Sequence, residues 1–190
     1  MTLDDIRRVS SEINKLKIQS VSYFNLGDPF SSPGILEELK IIKRENPEVF
    51  LYTSTNGLCV DSDDKLEAAL LFDSIVFSID GINTEMVQKY QRNGNFEFSL
   101  SNMRKLVDLR NSRGLKKPSI EWKYVLFNWN DKPEYIKKAI EMAEESKVDN
   151  FLVWHTFTPI WGASWRWFFD KFYKNLGVSY GSYKKIAISG

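Results

Sequence analysis

Four short polar or glycine-bearing clusters stand where apolar runs end: Gly27-Asp28-Pro29, Thr55-Asn56-Gly57, Ser78-Ile79-Asp80-Gly81 and Phe127-Asn128-Trp129-Asn130. Each by itself is a common turn former. Their recurrence at successive run ends is the informative part, because parallel α/β sheets hold their chemistry in the loops beyond the carboxyl ends of the strands. Ser78 and Asp80, two apart, present a hydroxyl and a carboxylate to one side if the strand persists that far. Gly27 lets backbone approach a ligand closely. Cys59 is the single cysteine, which excludes a disulfide framework and a cysteine-based zinc cage, and His155 is the single histidine, from which no histidine-based metal site can be argued by spacing. Cys59 reads as a semi-buried small hydrophobe and His155 as a packed strand-end residue.

The segments that position these clusters alternate between helix and strand. Leu3, Ile6, Val9, Ile13 and Leu16 recur at helical spacing, and Val21 to Leu26 is a short apolar run. Pro33-Gly34 opens a helix through about Asn46, Val49 to Thr53 is a strand, and Asp61 to about Leu71 carries a capped helix. Ser74 to Ile79 is the next strand. A helical stretch interrupted near Arg92-Asn93-Gly94-Asn95 resumes from Phe96 to about Arg113. Ser119 to Phe127, Lys132 to Ser146 and Asn150 to Thr156 then give strand, helix and strand. Asn128 is placed to cap the Lys132 helix. Trp122 and Tyr124 share one face of their strand, Glu121 and Lys123 the other.

This order predicts an α/β protein with an incomplete parallel (β/α) barrel of about five strands and right-handed crossovers. It opens on a helix, so the first strand is expected to be missing. Residues 1–160 form the barrel part; 161–190 form an aromatic C-terminal helix, from about Ala163 to Asn175, and a tail. Trp161, Trp165, Trp167, Phe168, Phe169, Phe172 and Tyr173 are expected to pack on the barrel wall rather than form a ligand platform.

Lys and Arg number 26 against 25 Asp and Glu in 190 residues, so no global field favours nucleic acid or an anionic membrane. At 43% hydrophobic and 27% charged the composition is that of an ordinary folded domain. The charged, amphipathic start is not a signal peptide, no segment has the apolar length of a membrane span, and the cytoplasm is the default compartment.

Taken in order, the clusters resemble the radical S-adenosylmethionine (radical SAM) enzymes. FNLGDPFSSPGILEEL is similar to the family's second-strand motif, TSTNG to its third-strand Thr-Asn-Gly, and VFSIDGINTEMVQKYQRNGNFEFSLSNMRKLVDLRNSRG to its SIDG stretch. KYVLFNWNDKPEYIKKAIEMAEESKVDNF resembles the fifth strand and helix of the branch that often bears a SPASM domain. The resemblance implies an S-adenosylmethionine site in which Gly27, Asp28 and Pro29 meet the amino end, Thr55 and Asn56 follow, Ser78 and Asp80 meet ribose or methionine, and Arg92 pairs with the carboxylate. It gives Asn102 a structural role.

The same resemblance implies a [4Fe-4S] cluster held by three thiolates, and one cysteine cannot supply them. Three readings follow. The chain is the cluster-less remainder of a radical SAM enzyme acting on an unknown peptide or small molecule, with a Cys-x3-Cys-x2-Cys segment upstream of Met1. Or it is a non-catalytic nucleoside-binding or partner-binding module. Or it is an unrelated α/β-barrel enzyme, such as a sugar-phosphate-handling protein. Under the first, no residue of this chain is catalytic or metal-binding, and an unpaired strand edge is open to self-association.

Overall fold

The structure, a computed structural model, describes residues 2–24, 27–176 and 183–188. Its sheet has the order β1 (Ser20–Ser22), β2 (Phe50–Thr55), β3 (Ser74–Ser78), β4 (Ser119–Leu126), β5 (Asn150–His155) and β6 (Tyr183–Ala187). The first five strands run parallel and β6 pairs antiparallel with β5. Sequential parallel order with right-handed crossovers puts the connecting helices on one face. The expected incomplete barrel is therefore an open sheet, with β1 and β6 as its edges.

Alternation decides what each face carries. Phe77 pairs with Trp122, and Trp122 with Phe151; all three are fully buried under helices. The next residues along lie on the opposite, open face, where Ser78 stands beside Lys123 and Phe50, Tyr52 and Trp154 are exposed. Trp122 and Tyr124 thus face the helices, and Glu121 and Lys123 the open side.

The helices follow local signals. Thr2 and Asp5 form a reciprocal capping box at the start of α1 (Leu3–Lys15). Only Ile6, Ser10 and Ile13 of that helix are buried, while Leu3, Val9 and Leu16 are exposed. It leans on α2 (Ile35–Glu45), where buried Asn46 donates to the carbonyl and hydroxyl of Ser10, each at 3.0 Å. Then come α3 (Asp63–Ala69), α4 (Thr84–Gln88), α5 (Phe96–Ser112) and α6 (Pro133–Glu145).

Two carboxylates fix the amino ends of the strands. Asp73, just before β3, accepts from Leu51 N at 2.9 Å and pairs with Lys43 and Lys117. Asp149, just before β5, accepts from Ile120 N at 2.6 Å and pairs with buried Arg110. Each ties one strand's start to its neighbour, where a register slip would expose every core side chain.

The C-terminal part departs from expectation. The helix from Ala163 to Asn175 is two short ones, α7 (Arg166–Phe169) and α8 (Lys171–Leu176). Asp170 adopts an extended backbone between them and accepts from Phe172 N at 2.8 Å, capping the second. The tail contributes β6. Of the seven aromatics expected on the barrel wall, Trp167 and Tyr173 are buried and Phe172 packs against the core, whereas Trp161, Trp165, Phe168 and Phe169 are exposed.

Candidate functional site

The loop after β1 and the end of β2 form one hydrogen-bonded unit. Asp28 opens a 3-10 turn over Pro29–Ser31, its Oδ1 accepting from Phe30 N at 3.0 Å. Its Oδ2 accepts from the Thr55 hydroxyl at 2.6 Å and from Asn56 N at 3.0 Å. Thr55 in turn accepts from Gly57 N at 3.0 Å, and Asn56 from Leu58 N at 2.9 Å. Buried Asn102 of α5 donates to the Gly57 carbonyl at 2.9 Å, which is the structural role expected of it. The carboxylate of Asp28 thus has three donors within the chain. Gly27, at φ +142°, has nothing within 4 Å of where a Cβ would lie, while its backbone takes part in a β-bridge.

At the end of β3 the same logic recurs. The peptide ladder to β4 stops at Ile79, and Asp80 Oδ1 replaces the next carbonyl by accepting from Val125 N at 2.9 Å. Gln91 donates to both Asp80 Oδ2 and the Ser78 carbonyl at 2.9 Å. Asn130, fully buried, donates to the Asp80 carbonyl at 2.9 Å. Burial pushes the Asp80 carboxyl up to about 6, against the hydrogen bonds from Val125 and Gln91 and the nearby Lys123 charge, which favour ionisation. Asp80 is held in the extension of the sheet rather than presented on its open face. Ser78 is presented there, half-buried, and its hydroxyl has no partner among the described residues. Arg92 is exposed and likewise unpartnered.

Asn128 does not cap α6. Lys132 occupies the N-cap position and Pro133 starts the helix, while Asn128 donates to the Trp161 carbonyl at 2.8 Å. That bond, with Asn128 N to Gly162 O at 2.9 Å and a Phe127–Ala163 bridge, fastens the segment after β5 to the end of β4. Trp129 lies between Phe127 and Trp161, stacked on both, at 4.6 and 5.7 Å between centroids. A Cβ on Gly162 would come within 2.9 Å of its indole.

The four expected clusters therefore gather along one edge of the sheet, but not as equals. The side chains of Ser78 and Arg92 have no partner among the described residues; Asp28, Thr55 and Asn56 hold one another, and Asp80 holds Val125 N and Gln91. Asn130, the last residue of the fourth cluster, is the one that reaches Asp80, whereas Gln91 was not legible as a participant, since nothing in its spacing sets it apart from a solvated amide.

Metal-binding groups are a separate matter. Among the described residues no group of three or more His, Cys, Asp or Glu side chains is placed to hold a metal ion. Cys59 is partly buried, packs against the core, and burial pushes its thiol up, away from the thiolate an iron site requires. His155 is buried with its ring against Phe157 and Trp167, and desolvation pulls its pKa down. The residues present do not fit a [4Fe-4S] cluster. Among the described residues no helix is long and apolar enough to cross a membrane.

No protein-family model matches the chain, and no curated protein matches it. Solved structures do. Coproporphyrinogen III oxidase (HemN) from Escherichia coli, a radical SAM enzyme, matches with a TM-score of 0.54 and 16% identity over 82% of this chain and 37% of its own. The fold is shared with a radical SAM enzyme. A domain of pyruvate-formate lyase-activating enzyme from Bacteroides vulgatus matches with a TM-score of 0.51 and 13% identity, over 65% of this chain and 71% of that one. At these identities the likeness is one of fold, and the chain spans little more than a third of HemN.

Proposed function

We propose that this chain is the cluster-less part of a radical SAM core, of the SPASM-bearing branch, that holds the nucleoside and amino-acid portions of S-adenosylmethionine at the carboxyl edge of its sheet. The observation that supports the reading is that the side chains of Ser78 and Arg92 have no partner among the described residues, at the strand ends that also carry a pre-built Asp28–Thr55–Asn56 network, on a fold shared with HemN. The cluster thiolates of such a core would have to come from outside these 190 residues, which contain one cysteine. When bound, the cluster and S-adenosylmethionine supply reductive radical chemistry. This chain's residues bind and orient; its substrate, a peptide or a small molecule, is not specified by them.

A second reading, a non-catalytic nucleoside-binding or partner-binding module, is favoured by the internal satisfaction of Asp28 and Asp80, which leaves the edge ordered without a ligand. Calorimetric titration with S-adenosylmethionine tests the site common to both. Without iron chelation the expected Kd is about 1 mM, about −4 kcal/mol. Ser78→Ala and Arg92→Ala should each weaken it. Absence of saturable binding, or binding indifferent to both substitutions, would overturn the site.

A further inference from the structure

The loop after β4 and the segment after β5 border an open surface depression of about 440 Å³, lined by Asn128, Asp131, Trp165, Arg166, Phe169 and Asp170. It takes no residue from the S-adenosylmethionine site proposed above. Asp131 forms its floor: the buried carboxylate accepts from the Ser164 hydroxyl at 2.7 Å and from Arg166 Nε at 3.2 Å, and the Asp131 carbonyl accepts from the Tyr173 hydroxyl at 2.6 Å. The floor is fixed by four elements and does not depend on a ligand.

Its charge is unbalanced. Two carboxylates, Asp131 and Asp170, face one guanidinium, Arg166. Asp170 spends one oxygen on Phe172 N, and the other has no donor among the described residues. Asn128 uses its amide N–H on Trp161, leaving its own oxygen as an acceptor. The walls are Trp165 and Phe169, four residues apart and 57% and 72% exposed. Aromatic faces beside spare acceptors and a net negative charge select a cation. Ile160, Trp161 and Phe168 are exposed next to it: the Phe168 ring meets Phe169 at 5.0 Å between centroids, and the Trp161 carbonyl accepts from Asn128. A lone amine would leave that apolar ridge in water, whereas contiguous exposed apolar surface of this kind marks an interaction face.

We propose that this pocket receives a lysine or arginine side chain of a polypeptide partner whose neighbouring apolar residues cover the ridge formed by Ile160, Trp161 and Phe168. Charge complementarity chooses the cation, and the extent of the ridge chooses a polypeptide over a free amine.

Fluorescence anisotropy on the full chain tests it with a labelled peptide carrying one lysine between leucine and phenylalanine residues. The controls are the norleucine counterpart, n-butylamine, and vesicles of phosphatidylcholine and phosphatidylserine. The lysine peptide should bind about tenfold tighter than the norleucine peptide, a difference of about 1.4 kcal/mol. Asp170→Asn, which keeps a capping oxygen, and Trp165→Leu, at an exposed position, should each weaken the lysine peptide about fivefold or more with unchanged thermal melts. Equal affinity for the two peptides, competition by n-butylamine at the peptide's own concentration, association with vesicles but not peptide, or no binding would each overturn the proposal. The assay contains no S-adenosylmethionine, so its outcome is independent of the titration above.

Discussion

The carboxylate of Asp28 accepts the Thr55 hydroxyl at 2.6 Å, joining the loop after β1 to the last residue of β2. The same carboxylate accepts Asn56 N and Phe30 N. Asp28→Ala removes all three acceptor contacts at once and leaves two backbone N–H groups to find water. Hydrogen bonds to a charged group contribute more than neutral ones, so the loss should be about 2–4 kcal/mol. Urea denaturation measures it. Asp28→Asn should cost less, because one oxygen remains. A variant as stable as the parent would mean that the network does not hold this edge together.

Gly57 carries a different demand. Its φ is +80°, and a Cβ there would lie 3.1 Å from the Phe77 ring and 3.2 Å from the Ser99 carbonyl. Gly57→Ala is therefore strained in both backbone and packing and should destabilise by about 1–3 kcal/mol in thermal melts. Asn102→Leu would leave the Gly57 carbonyl without its donor and should cost a similar amount. Because the two residues touch, the double variant should lose less than the two single losses added together. Strict additivity would separate them.

Burial raises the Asp80 carboxyl from 3.8 to about 6. The folded state then holds this proton more tightly than the unfolded chain, so the contribution to stability is complete below about pH 4 and is lost as pH rises through 6. His155 acts in the opposite sense: its folded-state pKa is lowered, so its share is present above 6.5 and lost as pH falls through the lowered value. Comparing Asp80→Asn with the parent cancels His155. From pH 5 to pH 8 the variant should gain about 1–2 kcal/mol relative to the parent, read from urea midpoints. A constant difference would mean that Asp80 titrates normally.

The order of helices and strands was legible because each strand is a short apolar run closed by a turn former, as Ser74 to Ile79 is by Asp80-Gly81. The ends were less so. Val21 to Leu26 reads as one strand, yet β1 stops at Ser22, and Asn25 and Leu26 lie outside the described residues. An apolar run of that length does not distinguish a paired strand from a loop that buries one ring. The tail strand Tyr183–Ala187 escaped notice because its existence depends on pairing with β5 rather than on a pattern of its own. Gly27, Asp28, Thr55, Ser78 and Asp80 could be placed at or just beyond strand ends from the sequence. Which carboxylates would be consumed could not be read from it, because the donors to Asp80 are Val125 and Gln91, one distant in sequence and the other an unremarkable amide.

Among the described residues, β1 pairs only with β2 and leaves its other edge free. Phe50 N donates to the Gln19 carbonyl at 2.8 Å and Tyr23 N to the Tyr52 carbonyl at 2.9 Å, so odd-numbered residues of this strand bond to β2. The N–H and C=O of one residue point the same way in a strand, which leaves those of Ser20 and Ser22 facing outward. Beside them, Phe24, Phe50 and Tyr52 form an exposed aromatic row, with centroids 6.0 Å apart for Phe24 and Tyr52 and 6.3 Å for Phe50 and Tyr52. An unpaired edge next to exposed rings invites pairing between copies. The chain should therefore associate with rising concentration in sedimentation velocity. Ser22→Pro deletes an outward N–H without touching the bonds to β2 and should shift the distribution toward monomer with little change in melting temperature. A parent chain that stays monomeric across the concentration series, or a proline variant that associates equally, would place the edge outside any self-contact.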